Sequence, residues 1–199
     1  MLSRKEETHL LFSPLPHFMH KMNLETTRLN LRPFQESDVD HAFAVLGDAG
    51  TMLFYPSPYS KEQVGTIIRR NIESFETHGY GLFAVLETDT GAFVGDCGIT
   101  VQNIDGQDEF EIGYRIRKDR WVLGYAPEAA EAIKSYGFQH LRMKKLCSYM
   151  PSDHIQSRRV AEKIGMQLEK EYQNPRNRGI FTSVYSIHNP HLPIEREEN

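Results

Sequence analysis

The segment from Trp121 to Ala126 connects a predicted strand to a predicted helix through a short loop that contains Gly124. The first N–H groups of a helix have no acceptor within the helix, and the helix dipole adds partial positive charge at the same end. Such an end binds phosphate or pyrophosphate without needing a basic side chain. We therefore predict that the N–H groups from Val122 to Ala126 bind a diphosphate group.

The strand before this loop carries carboxylates that suit proton transfer. Glu109 and Glu111 share one face of the strand with Gly113, because side chains alternate between the two faces. A carboxylate beside a cleft can accept a proton from an attacking nucleophile, directly or through water. Either glutamate could be this base, and both could equally be solvent-exposed strand residues, which is the usual position of Glu.

A second segment, from Pro151 to Met166, places His154 three residues before Ser157 at the start of a predicted helix. A neutral imidazole can donate one hydrogen bond, and a hydroxyl can donate a proton to a leaving group. The plainer alternatives are that Ser157 is an exposed helix hydroxyl and that His154 only begins the helix.

Basic side chains surround both segments and suit a ligand with several phosphate charges, although a run of charge usually marks only a solvated surface. They are Arg115, Arg117, Lys118, Arg120, Arg158, Arg159 and Lys163. Two His-x-x-His pairs, at 17/20 and 188/191, lack Cys or carboxylate partners at metal spacing, so we predict no metal site. Neither a Gly-x-Gly-x-x-Gly nor a Gly-Lys-Ser/Thr motif occurs in the chain.

The composition narrows the class of protein. A chain of 199 residues is long enough for one well-buried domain, and its net charge of −4 argues against a general nucleic-acid binder. No apolar run reaches the length of a membrane span, and the N-terminus does not read as a secretory signal. Cys97 and Cys147 define no disulfide framework, which fits buried thiols and a cytoplasmic location.

The elements that position these residues follow from hydrophobic periodicity and from capping and turn signals. Ser60 to Gln63 form a capping box, Ser37 and Asp153 are predicted caps, and Gly165 ends the last helix. The predicted strands cover 26–32, 81–87, 92–102, 108–116, 145–150 and 181–187, and the predicted helices cover 37–46, the residues after Ser60, 126–138 and 153–164.

This order places a three-strand antiparallel meander before a right-handed crossover, and one or two strands close the chain. It predicts an α/β fold, with a mixed, mostly antiparallel central sheet and helices on both faces. We expect an N-terminal extension over 1–22, one domain over 23–190 and a C-terminal tail over 191–199.

Both segments resemble motifs of the GNAT superfamily of N-acetyltransferases, most of all its RimJ/RimL branch, and the element order is that of the GNAT fold. The usual loop of the branch, Tyr-Trp-Gly-Lys-Gly-Tyr-Ala-Thr-Glu-Ala, aligns without a gap. It matches at Trp121, Gly124, Tyr125, Ala126, Glu128 and Ala129. Val122, Leu123 and Pro127 stand where the branch has glycine, lysine and threonine.

The second segment is similar to the family pattern Asn-x-x-Ser followed by Val-x-Glu-Lys-x-Gly-Phe. The matching residues are Ser157, Val160, Glu162, Lys163 and Gly165. His154 replaces the asparagine, which in the family contacts the pantetheine arm, and Met166 replaces the phenylalanine. Glu111 begins a Glu-Ile-Gly-Tyr signature of the branch, which favours it over Glu109.

The resemblance implies that acetyl-CoA donates an acetyl group to a primary amine by direct attack in a ternary complex. It implies Glu111 as the base and Ser157 as the acid, because Ala161 stands where many members have a tyrosine. A backbone amide near Tyr114 or Arg115 would polarise the thioester carbonyl. The cofactor-binding residues that it implies are Arg115, Ile116, Arg117, Trp121, Val122, Leu123, Gly124, Tyr125, Ala126, His154, Ser157 and Lys163.

The resemblance leaves the acceptor open between the α-amine of a protein N-terminus, such as that of a ribosomal protein, and a small amine or antibiotic. It implies neither DNA nor membrane as a partner, and it leaves a homodimer open. The departures from the family pattern at Val122, Leu123, His154 and Ala161 also allow a non-catalytic acyl-CoA sensor. An RNA-contacting protein is a third alternative, and it rests only on the basic residues.

Overall fold

The computed structural model describes residues 22–193. The predicted N-terminal extension, except for its last residue, and residues 194–199 of the predicted tail lie outside the described residues. So does the histidine pair at 17 and 20. None of the described helices is long and apolar enough to cross a membrane.

The secondary structure follows the predicted order. Its elements are β1 (Leu24–Glu25), β2 (Leu29–Pro33), α1 (Val39–Leu46), α2 (Lys61–His78), β3 (Leu82–Glu87), β4 (Phe93–Ile104), β5 (Gln107–Ile116), α3 (Tyr125–Gln139), β6 (Lys145–Pro151), α4 (Ile155–Lys163), β7 (Gln167–Asn174) and β8 (Ile180–His188). Short 3-10 turns cover Glu36–Asp38, Lys118–Arg120 and Pro175–Asn177.

The strands form one eight-stranded sheet in the order β1-β2-β3-β4-β5-β6-β8-β7. Neighbouring strands are antiparallel except for β5 and β6, which are parallel and share only the pair Glu111–Cys147. The prediction of a mixed, mostly antiparallel sheet is therefore confirmed. Because β5 and β6 separate after this single pair, the sheet opens in its middle.

Helices cover both faces of the sheet, as predicted. The larger core cluster packs α3 and α4 against the face that carries Ile99 and Ile112. The second cluster packs α1 and α2 against the face that carries Leu82 and Ala84. Cys97 and Cys147 are buried free thiols, and burial raises the pKa of both.

Some local predictions are wrong. Ser37 does not cap α1, because a 3-10 turn precedes that helix and Asp38 accepts the Gln35 N–H at 2.8 Å. Asp153 does not cap α4, which has His154 at the N-cap with no side-chain cap bond. Strand β7 had no predicted bounds, because its mostly exposed polar side chains give little hydrophobic alternation.

Candidate active site

A cleft of about 740 Å³ opens where β5 and β6 separate. Its walls come from the α1–α2 connection, β4, β5, the loop before α3, β6, α4 and the β7–β8 connection. Next to the Glu111–Cys147 pair, the Ser148 hydroxyl of β6 donates to Ile112 O of β5 at 2.7 Å. Beyond it the edge of β5 faces the cleft instead of a neighbouring strand.

The hydrogen-bonding direction of β5 decides which main-chain groups face this cleft. Arg117 N–H donates to Val94 O at 2.9 Å, on the side of β4. Successive residues of a strand alternate in direction, so the main-chain groups of Tyr114 and Ile116 point toward β6. The main-chain groups of Arg115 and Arg117 therefore face β4, so among the three consecutive residues from Arg115 to Arg117 it is Ile116 that directs its main-chain groups to the gap.

The Arg115 side chain is already paired within the protein. It forms a two-point ion pair with Asp96, at 2.9 and 2.7 Å, and Asp96 is 1% exposed. The guanidinium lies 5.8 Å from the centre of the Tyr59 ring. The pair therefore contributes no net charge to the cleft wall. In the next residue, the Ile116 carbonyl already accepts a hydrogen bond from the Trp121 indole N–H at 2.6 Å.

The loop before α3 lines the cleft at Val122, Gly124, Tyr125 and Ala126. Val122 has φ 60° and Gly124 has φ 86°, so both adopt the left-handed conformation. Within the part of the chain that the structure describes, no main-chain acceptor is bound by the N–H groups from Val122 to Ala126. Leu123 does not line the cleft, and its carbonyl accepts from Arg28 at 2.8 Å. This arrangement leaves free donors at a helix N-terminus, where an anion is favoured.

The loop from Val122 to Ala126, called the phosphate loop after its predicted ligand, is contacted by Arg28, which also forms an ion pair with Glu128 at 2.6 Å. Glu128 accepts a further hydrogen bond from the Thr26 hydroxyl at 2.6 Å. These contacts attach the first turn of α3 to the segment between β1 and β2. The loop conformation is therefore set by the fold before any ligand is present.

Most basic residues of the predicted cluster are already paired. Arg117 pairs with Asp119, Arg120 pairs with Glu87 and Asp119, and Arg158 donates to Tyr185 and to Ser152 O. Arg159 and Lys163 differ, because both line the cleft and, within residues 22–193, neither has a carboxylate partner. They are one turn apart on α4 and supply unpaired positive charge to the cleft.

The structure separates the two glutamates of β5. Glu111 lines the cleft and accepts a hydrogen bond from Thr100 Oγ1 at 3.2 Å. Burial raises the pKa of Glu111 to about 7. Glu109 does not line the cleft, and it pairs with Lys145 at 2.9 Å. A carboxyl group with a pKa near neutrality is suited to accept and release a proton.

Ser157 is buried, and its partner was not identified in the sequence. The Tyr114 hydroxyl lies 2.9 Å from both Ser157 O and Ser157 Oγ. The Ser157 carbonyl can only accept, so the Tyr114 hydroxyl donates its hydrogen to Ser157 O. The oxygen of the same hydroxyl can then accept a hydrogen bond from Ser157 Oγ. Burial raises the pKa of Tyr114, so the phenol stays protonated. The sequence alone does not indicate this pair, because 43 residues separate its two members.

The carboxylate and the hydroxyl pair lie on opposite faces of β5. Glu111 shares its face with Arg115, on the side of α1 and α2, whereas Tyr114 reaches α4 on the other side. Glu111 and Ser157 nevertheless line the same cleft, which opens between the strands. Such a separation suits transfer between two bound molecules.

His154 packs against an aromatic residue that no sequence pattern identified. Its ring stacks on Phe54, with centroids 3.5 Å apart and planes at 15°. Burial lowers the pKa of His154 to about 4, so the imidazole is neutral at pH 7. Phe54 lies in the connection between α1 and α2, where no periodic pattern identifies it. The imidazole nitrogens have no hydrogen-bond partner within residues 22–193, so they are free for a ligand.

The sequence matches a known protein family. The protein family described as "Acetyltransferase (GNAT) domain" matches residues 28–167. The chain is 35% identical to the uncharacterized protein YkkB of Bacillus subtilis, over 75% of this chain and 88% of YkkB. It is 28% identical to the uncharacterized N-acetyltransferase YnaD of the same organism, over 74% of this chain and 84% of YnaD.

The fold is also similar to solved structures. One is RimL, a ribosomal L7/L12 alpha-N-protein acetyltransferase in complex with coenzyme A, with a TM-score of 0.70 and 18% identity. The match covers 84% of this chain and 98% of that structure. At this identity the similarity concerns the fold.

Proposed function

We propose that this chain, which belongs to the GNAT acetyltransferase family, transfers an acetyl group from acetyl-CoA to the α-amine at the N-terminus of a peptide or protein. Membership of the family makes it an acetyl-CoA-dependent acetyltransferase with an amine acceptor. The proposal concerns the kind of amine and the residues that act on it.

Binding of acetyl-CoA is assigned to the phosphate loop and to α4. The free N–H groups of Val122 to Ala126 suit the diphosphate, and Arg159 and Lys163 add positive charge beside it. The pantetheine arm would lie along β5, where Tyr114 and the Ile116 N–H face the gap left by β6. A neutral His154 can donate one hydrogen bond to an amide carbonyl of that arm.

Glu111 is proposed as the base, and its position carries the whole proposal. It is the cleft carboxylate beside the point where β5 and β6 separate, and its pKa is about 7. The amine nitrogen attacks the thioester carbonyl carbon, and Glu111 takes the proton that the nitrogen loses. The N–C bond forms and the C–S bond breaks, which leaves the thiolate of CoA.

Ser157 is proposed as the group that protonates this thiolate. Its hydroxyl gives a proton to sulfur as it takes one from water in the cleft, and Tyr114, 2.9 Å away, holds the hydroxyl in position. The Tyr114 N–H can polarise the thioester carbonyl from the edge of β5. The α-amine of a peptide is favoured as acceptor because a structural neighbour with the same fold, RimL, is named for that reaction.

Two measurements test the proposal. Isothermal titration with acetyl-CoA measures binding, and release of free CoA thiol is then followed with a panel of peptides and small amines. We expect binding, and thiol release with unblocked peptides but not with N-acetylated ones. Absence of binding at millimolar acetyl-CoA would overturn the site. Binding without thiol release for any amine would instead support the sensor alternative.

A further inference from the structure

The connection between β7 and β8 lines one end of the cleft. Arg176 Nη1 donates to Asn103 O at 3.4 Å, and Asn103 is three residues beyond Thr100 on β4. Thr100 lies opposite Glu111 in the β4–β5 ladder. Three residues of a strand span about 10 Å, so the contact between Arg176 and Asn103 lies about that far along the sheet from the proposed base. The phosphate loop follows Ile116, about 17 Å from Glu111 in the opposite direction. Arg176 is therefore outside the reach of the diphosphate site.

Neither carboxylate near the β4–β5 turn forms an ion pair with Arg176. Asp105 pairs with Lys170 at 3.0 Å, and Asp108 accepts from the Asn103 amide at 2.7 Å. Between residues 22 and 193, no carboxylate forms an ion pair with Arg176. A guanidinium that lines a cleft without an acidic partner suits a carboxylate brought by a ligand.

The neighbouring Asn177 gives a second, independent observation. Its Oδ1 is buried and has no hydrogen-bond partner in the described part of the chain, although the residue lines the cleft. Buried polar atoms are nearly always hydrogen-bonded, so an orphaned acceptor at a cleft wall points to a donor on a ligand. Asn174 fixes the turn itself, because its Oδ1 accepts the Arg176 N–H at 3.0 Å.

We propose that Arg176 and Asn177 form an acceptor subsite that binds a carboxylate about 10 Å from the amine to be acetylated. This inference rests on the proposed function and specifies its substrate class. Arg176 binds the carboxylate, and Asn177 Oδ1 accepts an N–H from the adjoining backbone or amide. In a peptide acceptor the spacing corresponds to an acidic side chain near the third residue, whereas in a small amine it corresponds to an ω-amino acid.

The experiment measures ligand binding by calorimetry on the full chain saturated with CoA, so it does not depend on turnover. The probes are matched pairs: Ala-Ala-Glu amide against Ala-Ala-Gln amide, and ε-aminocaproate against its amide. We expect the wild-type protein to bind an acidic member about tenfold more tightly than its neutral partner. Arg176→Gln should remove this preference, and Asn177→Ala should weaken both members of the favoured pair.

Arg178→Gln is the matched control, because Arg178 is a cation of the same turn that does not line the cleft. It should retain the preference. A preference confined to the peptides or to ε-aminocaproate supports the subsite and identifies the source of the carboxylate. Equal binding within both pairs, no binding of either acidic probe, or a preference that survives in Arg176→Gln would overturn it.

Thiol release distinguishes this inference from the proposed function. If neutral and acidic amines are acetylated and bound equally well, the subsite is wrong and the acetyl transfer stands. If acidic probes bind preferentially but no amine releases thiol, the subsite stands and the catalytic proposal fails.

Discussion

Substitution of Glu111 by glutamine is the most direct test of the catalytic proposal, because it keeps the shape of the side chain and removes its basicity. A positioned general base contributes roughly 100- to 10,000-fold to rate, so we expect kcat/KM for the acceptor to fall within that range. Affinity for acetyl-CoA should not change, because the phosphate loop is at the far end of β5. Stopped thiol-release assays and calorimetry measure the two quantities separately.

The pH profile gives a sharper prediction than the rate alone. With a pKa of about 7, roughly half of Glu111 is ionised at pH 7 and about one tenth at pH 6. A peptide α-amine titrates near 7.7–8.0, so two groups must lose protons before reaction. We expect log kcat/KM of the wild type to fall with a slope of about two below pH 7, and that of Glu111→Gln with a slope of about one.

The same raised pKa predicts a change in stability. The folded protein holds the Glu111 proton more tightly than the unfolded chain, so its stability falls as pH rises from about 4.5 to about 7. The difference between a pKa of 4.5 and one of about 7 corresponds to at most about 3.4 kcal/mol, and water in the cleft reduces this value. Glu111→Gln should therefore have a higher free energy of unfolding than the wild type at pH 8, and no such advantage at pH 4.

Glu109→Gln is the control for both measurements. Glu109 is on the same strand face but pairs with Lys145 outside the cleft. The Glu109→Gln variant should keep the wild-type pH profile of kcat/KM, and its free energy of unfolding at pH 8 should not exceed that of the wild type. Turnover of Glu111→Gln within twofold of the wild type, with an unchanged slope, would refute the assignment of the base.

Other predictions concern the cofactor end of the cleft. Val122→Gly removes a β-branched residue from φ 60° and should raise the free energy of unfolding by about 0.5 to 1 kcal/mol, measured by urea denaturation; a decrease would contradict the strain argument. Arg159→Gln should weaken acetyl-CoA binding at low salt by about threefold, whereas Arg158→Gln, whose cation is already engaged, should not. Phe54→Ala should raise KM for acetyl-CoA three- to tenfold, roughly the value of an aromatic pair, but should have no further effect in a His154→Asn background. Additive effects of these last two substitutions would show that Phe54 does not act through His154.

Much of the fold follows from local signals in the sequence. The β4–β5 hairpin is predictable because Asp105 and Gly106, with φ 53° and 85°, satisfy the backbone requirement of a two-residue turn. The capping box is also local: Ser60 Oγ accepts from Gln63 N–H, and Gln63 returns a hydrogen bond to Ser60 N–H. Such features depend on residues close together in the chain.

The missed features depend on residues far apart in the chain. Arg120 is neutralised by Glu87, 33 residues earlier, so counting basic residues overestimates the free charge. Which main-chain groups of β5 face the gap depends on its register with β4, since a shift of one residue exchanges Tyr114 for Arg115. Phe54 lies in a connection without periodicity, and only the tertiary structure brings it to His154.

The surroundings of the cysteines favour direct transfer over an acyl-enzyme. Cys147 is opposite Glu111 at the last pair between β5 and β6, which makes it the nearest thiol to the proposed base on that ladder. It is fully buried, and burial together with the charge of Glu111 raises its pKa, so its nucleophilic thiolate form is suppressed. Cys97 is buried in the same way. With the thiols protonated and Glu111 and Ser157 on opposite faces of β5, the arrangement supports an amine attacking the thioester in the gap, with no covalent intermediate on the chain.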